Sequence, residues 1–125
     1  MRGLIESWFY RLPEDERDLP IVEVDGVILT PRQVYEEVIR GTELGEKAQK
    51  VIERLRSPMT LSYEDTEMLR KVALERAKKK LASLPPGVKI GTLSGDVLTP
   101  EEFLQRARDY IIDYEVKKIL SLVRW

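Results

Sequence analysis

IVEVDGVILTPRQVYEEV, residues 21–38, and IGTLSGDVLTPEEFLQRA, residues 90–107, lie one over the other at a fixed shift of 69 residues. Ile21 falls on Ile90, Gly26 on Gly95, Leu29 on Leu98, Thr30 on Thr99 and Pro31 on Pro100. Val34 meets Phe103 and Val38 meets Ala107, so apolar character survives where identity is lost. Each shared residue has a structural job. Asp25-Gly26 and Ser94-Gly95 read as two-residue hairpin turns, in which glycine takes the positive φ that a tight turn demands. Around the first turn, Val24 should face Val27 and Val22 should face Leu29, stacking four apolar side chains on one side. Around the second, Leu93 and Leu98 should share the matching face, weakened by Gly91 and Asp96. Thr30-Pro31 and Thr99-Pro100 then open helices: threonine caps the free amides, and proline sits where its missing N–H costs nothing.

Working outward, the second of these helices should run from Pro100 to about Val123, with no breaker in its path. The first should cover residues 31–56, but it contains Gly41 and Gly45, which align with Tyr110 and Tyr114. Two readings follow. In one, the bare glycine face is crossed closely by the tyrosine face of the other helix. In the other, the helix breaks near Gly41 and Thr42 caps a separate one. Between the units, residues 62–84 carry Leu69, Val72, Ala73, Ala77, Leu81 and Leu84 on one helical face. Ser62 and Asp65 resemble a capping box with Asp in place of Glu. Pro85-Pro86-Gly87 ends this helix, and residues 57–61, with Pro58, form the loop before it.

Leu4, Ile5, Trp8, Phe9 and Leu12 form an apolar stripe at helical spacing, which predicts an amphipathic helix over residues 1–12. Residues 13–20, PEDERDLP, read as an acidic, proline-bounded tether. The expected fold class is therefore α+β and mostly helical, a single domain of residues 1–125. Internally duplicated β-hairpin–helix units (21–56 and 88–123) flank a central helix, behind the N-terminal amphipathic helix.

Absences bound the chemistry. The chain has no cysteine and no histidine, which excludes thiol nucleophiles, disulfides, zinc fingers and histidine acid–base pairs. No glycine-rich phosphate loop is present. The carboxylate pairs Asp109/Asp113, Glu36-Glu37 and Glu101-Glu102 suit solvated helix surface better than catalysis, Asp113 having Lys117 four residues on. No catalytic, cofactor-binding or metal-binding residue is expected, and the chain does not read as an enzyme.

Two partner classes remain. Tryptophan and tyrosine anchor interfaces because they bury much area with few rotors. Leu4, Ile5, Trp8, Phe9 and Trp125 are accordingly the expected partner-binding residues, in a protein that binds another or self-associates. The alternative is a nucleic-acid-binding accessory protein using Arg70, Lys71, Lys78, Lys79 and Lys80 on one side of the middle helix. Against it, the formal net charge is only −1 and no aromatic residue interleaves that basic run. A membrane partner is not expected, since the N-terminal helix carries only two basic residues and an acidic segment follows it. With no long apolar signal region or membrane-length run, the expected location is the cytoplasm.

Asparagine is absent and 34% of residues are charged, a composition typical of heat-adapted proteins. A thermophilic origin predicts a melting midpoint above the ~45–65 °C usual for mesophile domains. A calorimetric midpoint inside that range would remove the expectation.

Overall fold

Asp25 and Gly26 both take positive φ, 51° and 79°, the left-handed pair that a two-residue hairpin turn needs to match strand twist. They join β1 (Val22–Val24) to β2 (Val27–Leu29) with Val22 opposite Leu29 and Val24 opposite Val27, in the expected register. Val22, Val24 and Leu29 are buried, whereas Val27 at the turn stays exposed. The computed structural model describes residues 2–57 and 61–125. The loop expected at 57–61 therefore lies largely outside the described residues, Pro58 included.

The helix after this hairpin breaks in two, α2 (Pro31–Arg40) and α3 (Glu43–Arg56). Gly41 adopts φ 70° and ends α2, a left-handed cap that glycine accepts without a Cβ penalty. The Thr42 hydroxyl then accepts the Gly45 amide at 3.0 Å and starts α3. The chain reverses so tightly that Gly45 faces the backbone of α2. A Cβ built there would lie 2.7 Å from the Val38 nitrogen and closer still to the Glu37 carbonyl. The close approach expected at the glycines is real, but its partner is α2, and no tyrosine face crosses it: Tyr110 and Tyr114 are exposed.

The middle helix is α4 (Tyr63–Ala82), capped by the Ser62 hydroxyl, which accepts the Asp65 amide at 3.1 Å. Asp65 does not complete the box. Its carboxylate turns to α3 and accepts from Arg54, whose Nε reaches the two oxygens at 2.9 and 3.2 Å and whose Nη2 reaches one at 2.6 Å. The Arg54 guanidinium holds this buried carboxyl below its usual range. The pair therefore adds stability at neutral pH, and loses it as acid carries the pH down through the lowered pKa. Leu69, Val72, Ala73 and Ala77 are buried as expected, but Leu81 is half-buried, and Leu84, expected on the helix, lies beyond its end at Ala82 and is exposed.

The second hairpin departs from its expected register. β3 (Ile90–Gly91) pairs with β4 (Val97–Leu98), with Ile90 opposite Leu98 and Gly91 opposite Val97. The loop between is Leu93-Ser94-Gly95, closed by Thr92 N–H donating to the Asp96 carbonyl at 2.9 Å, with Gly95 at φ 91°. Three-residue loops of this kind also place glycine at the left-handed position. The Thr92 hydroxyl, 3.1 Å from the Asp96 amide, favours the longer loop. Leu93 is left fully exposed at its tip rather than on the inner face.

Beyond this hairpin the expected unbroken helix is two, α5 (Pro100–Arg106) and α6 (Arg108–Val123), parted at Ala107. No glycine or proline causes the break. α5 packs on β4 and on α4, while α6 must follow the core along α4, so the chain bends between two tertiary demands. Both α2 and α5 begin with a complete capping box: the Gln33 and Glu102 side chains each accept the backbone amide of the capping threonine at 2.9 Å.

The N-terminal helix, α1 (Arg2–Arg11), is part of the core. Ile5, Trp8, Phe9 and the following Leu12 are buried. The Trp8 indole donates to the Leu122 carbonyl in the last turn of α6 at 2.8 Å, joining the Trp125 amide at 3.2 Å on the same oxygen. Phe9 stacks on Tyr35 of α2 at 4.7 Å between centroids. Nor is residues 13–20 a tether: Glu14–Glu16 form a turn of 3₁₀ helix, Glu16 is buried, and Asp18 holds Arg32 at 2.8 Å.

Gly45→Ala is expected to destabilise the chain by about 1–3 kcal/mol, because steric strain against fixed backbone outweighs the ~1 kcal/mol gain in helix propensity. Urea unfolding measures it, and a variant as stable as the parent would disprove the close backbone contact.

Candidate interaction surface

One seam of the molecule combines buried charge with open apolar surface, and both follow from four-residue spacing on α4 and α6. On α4, Arg76 and Lys80 share one direction and Ala77 and Leu81 the next; on α6, Ile111 and Glu115 form one row and Tyr110 and Tyr114 the next, and all four line a groove. Arg76 is fully buried. Its Nε donates to Glu115 at 2.8 Å, its Nη1 to the Pro20 carbonyl at 3.4 Å, and its Nη2 pairs with Glu16. Lys80 approaches both oxygens of Glu115, at 2.9 and 3.0 Å. Two cations and two carboxylates thus neutralise one another, as burial requires.

Over this cluster lies a groove of about 270 Å³, lined by Ala77, Lys80, Leu81, Phe103, Tyr110, Ile111, Tyr114 and Glu115. Its outer wall is the tyrosine pair, 75% and 57% exposed. Among the described residues neither hydroxyl finds a hydrogen-bond partner. Elsewhere on the surface Leu84, Leu93 and Val97 are exposed, and α5 buries none of its residues. Exposed aromatic residues beside an apolar hollow are a feature of contact sites.

The residues expected to bind partners fall elsewhere. Ile5, Trp8 and Phe9 are core, which withdraws them from any surface in this fold; Leu4 and Trp125 keep partial exposure. Trp125 lies beside α1 through its carbonyl, which accepts from Arg11 at 3.1 Å. The basic residues of α4 are on its surface but are matched. Arg70 pairs with Asp113 at 2.8 Å, Lys78 with Glu75 at 3.5 Å, Lys80 with Glu115, and Lys71 with Glu23. Lys79 donates to the Asp18 carbonyl. At least one member of each carboxylate pair is similarly engaged: Asp109 and Asp113 flank Arg70, Glu37 accepts the Thr42 hydroxyl at 2.8 Å, and Glu102 completes its cap. Asp113 thus chooses Arg70 over the expected Lys117, whereas Glu43–Lys47 and Glu46–Lys50 form at 3.2 and 3.5 Å. Among the described residues no helix is long and apolar enough to cross a membrane.

The groove was the feature sequence reasoning missed, although a signal existed. Tyr110 and Tyr114 fall off the stripe that carries Ile112, Ile119, Leu122 and Val123 into the core, so a helical projection of α6 leaves two aromatics outside. No protein-family model, curated protein or solved structure matches this chain.

Removing the buried cation should be costly. Arg76→Met strands Glu16 wholly and Glu115 in part, with an expected loss of about 3–5 kcal/mol. Lys80→Met, at a half-buried site, should cost under ~1 kcal/mol. Urea unfolding separates the two, and similar midpoints for both variants would contradict the role given to Arg76.

Proposed function

We propose that the protein is a non-catalytic interaction or assembly protein, and that it makes contact through the groove walled by Tyr110 and Tyr114. The observation that carries this reading is the tyrosine pair itself: two large side chains, four residues apart, exposed beside an apolar hollow and doing nothing visible for their own fold. Tyrosine in such a setting is a typical interface anchor. We also read the two hairpin–helix units as an internal duplication. In the first unit, Gly41 and Gly45 let α2 fold back over α3. At the aligned positions of the second, Tyr110 and Tyr114 stand where such a fold-back would need bare backbone, so the face stays open.

The nucleic-acid reading is second. The basic residues of α4 support it only if their acidic partners are released, since all but Lys79 have a carboxylate within pairing distance. Binding to DNA or RNA that falls steeply with salt, and is lost in a Lys78→Glu/Lys79→Glu/Lys80→Glu variant, is what it predicts.

The interaction reading is tested with Tyr110→Ser/Tyr114→Ser. Exposed residues kept for contact should leave folding stability within about 0.5 kcal/mol of the parent, and any association seen by light scattering should disappear. A loss of about 2 kcal/mol or more in urea unfolding would make the tyrosines structural and defeat the proposal.

A further inference from the structure

The surface of α6 beyond the groove supplies a clue to its occupant. Along the exposed face, Tyr110 and Tyr114 are followed one turn on by Lys117 and Lys118. Unlike Arg70, Lys71, Lys78 and Lys80, these two lysines form no ion pair among the described residues. Asp113, on the flank of the same face, keeps a side chain 63% exposed despite its bond to Arg70. One end of the helix face is therefore aromatic with an acidic flank, and the other is cationic.

We propose that this face docks a second copy of the chain, the two α6 helices packing antiparallel so that Tyr110 of each meets Lys118 of the other and the two Tyr114 rings meet at the axis. The inference rests on the reading of the tyrosine-walled groove as a contact surface, and names its partner. A two-fold axis crossing α6 near Tyr114 produces the match. Reversing one helix sets its lysine end against the other's tyrosine end, twice over. An ammonium over a tyrosine ring is attracted to the ring face, and Asp113 of each copy comes beside Lys117 of the other. Antiparallel alignment also opposes the two helix dipoles. A parallel pair would instead set lysine against lysine. The chain's net charge of −1 imposes no long-range repulsion between copies. Single-stranded nucleic acid would also suit tyrosines beside lysines, but a strand needs a run of cations, and here Asp109 and Asp113 stand at the tyrosine end.

Because the chain contains no cysteine, single cysteines report contacts cleanly. Tyr114→Cys should form a disulfide-linked dimer under mild oxidation, since the axis brings the two copies of residue 114 together. Tyr63→Cys, more exposed but at the far end of α4, should not. A second test uses charge. Asp109→Lys/Asp113→Lys and Lys117→Glu/Lys118→Glu should each self-associate at least about tenfold more weakly than the parent. Mixed together, the two variants should restore association, because each then offers the other its opposite charge. Circular dichroism checks that both are folded, and restoration on mixing would itself show it.

Crosslinking no faster at Tyr114→Cys than at Tyr63→Cys, or no restoration on mixing, overturns the proposal. So does a parent chain that remains monomeric while binding single-stranded RNA through the same tyrosines. An oligomer insensitive to all these changes also overturns it, and places self-association on another surface. The stability readout for Tyr110→Ser/Tyr114→Ser is independent of these outcomes, so the broader interaction reading can stand when this one falls.

Discussion

The guanidinium of Arg76 has been taken wholly out of water, at a desolvation cost of several kcal/mol. Only well-placed acceptors offset such a cost, and here they come from three separate parts of the chain. Glu115 belongs to α6, Glu16 to the short turn after α1, and the Pro20 carbonyl to the approach to β1. The central helix, the C-terminal helix and the N-terminal connection are thus fixed to one point. With the connection pinned, α1 has a defined starting position, from which Trp8 reaches the last turn of α6 and Phe9 reaches Tyr35. A chain this size has a limited core, and drawing the terminal helix into it adds a tryptophan's worth of buried area.

The same centre shapes the surface above it. Lys80 closes the ionic cluster from the solvent side, so the floor of the groove is a neutral, fixed arrangement rather than a set of free charges. Ala77 keeps the hollow open by being small, and Leu81 and Phe103 line its sides. A surface held by neighbours that cannot easily move loses little entropy when something settles on it.

How much of this could be read in the sequence depended on whether the cause was local. The Asp25-Gly26 turn, the Thr30 and Thr99 caps and the apolar face of α4 each follow from residues a few positions apart, and each was legible. The break after Arg40 was legible as one of two readings, because Gly41 and Thr42 are capping residues on their own account. The bend at Ala107 was not, since it answers to α5 resting on β4 and α4. The register of the second hairpin was missed because two- and three-residue loops ask for the same glycine. The N-terminal segment was misjudged for a related reason. Its acidic composition suggests a solvated tether, yet Glu16 and Asp18 have their cations in Arg76 and Arg32, far off in sequence. The groove shared this fate: Tyr110 and Tyr114 were visible as residues, but their exposure depends on what α5 does.

The basic stretch of α4 shows why composition alone misleads about partners. Lys78-Lys79-Lys80 looks like a phosphate-binding run, but a helix sends consecutive residues in different directions. Lys78 turns back to Glu75, Lys79 caps a carbonyl of the N-terminal connection, and Lys80 closes the buried cluster. One triplet therefore serves three separate structural ends. Phosphate binding here would have to compete with these bonds, and diverting Lys78 or Lys80 would expose a carboxylate of the same surface to the incoming phosphate. The tyrosines of α6 face no such competition. Occupying them breaks nothing inside the molecule, so a partner meeting that face gains its contacts without first undoing any.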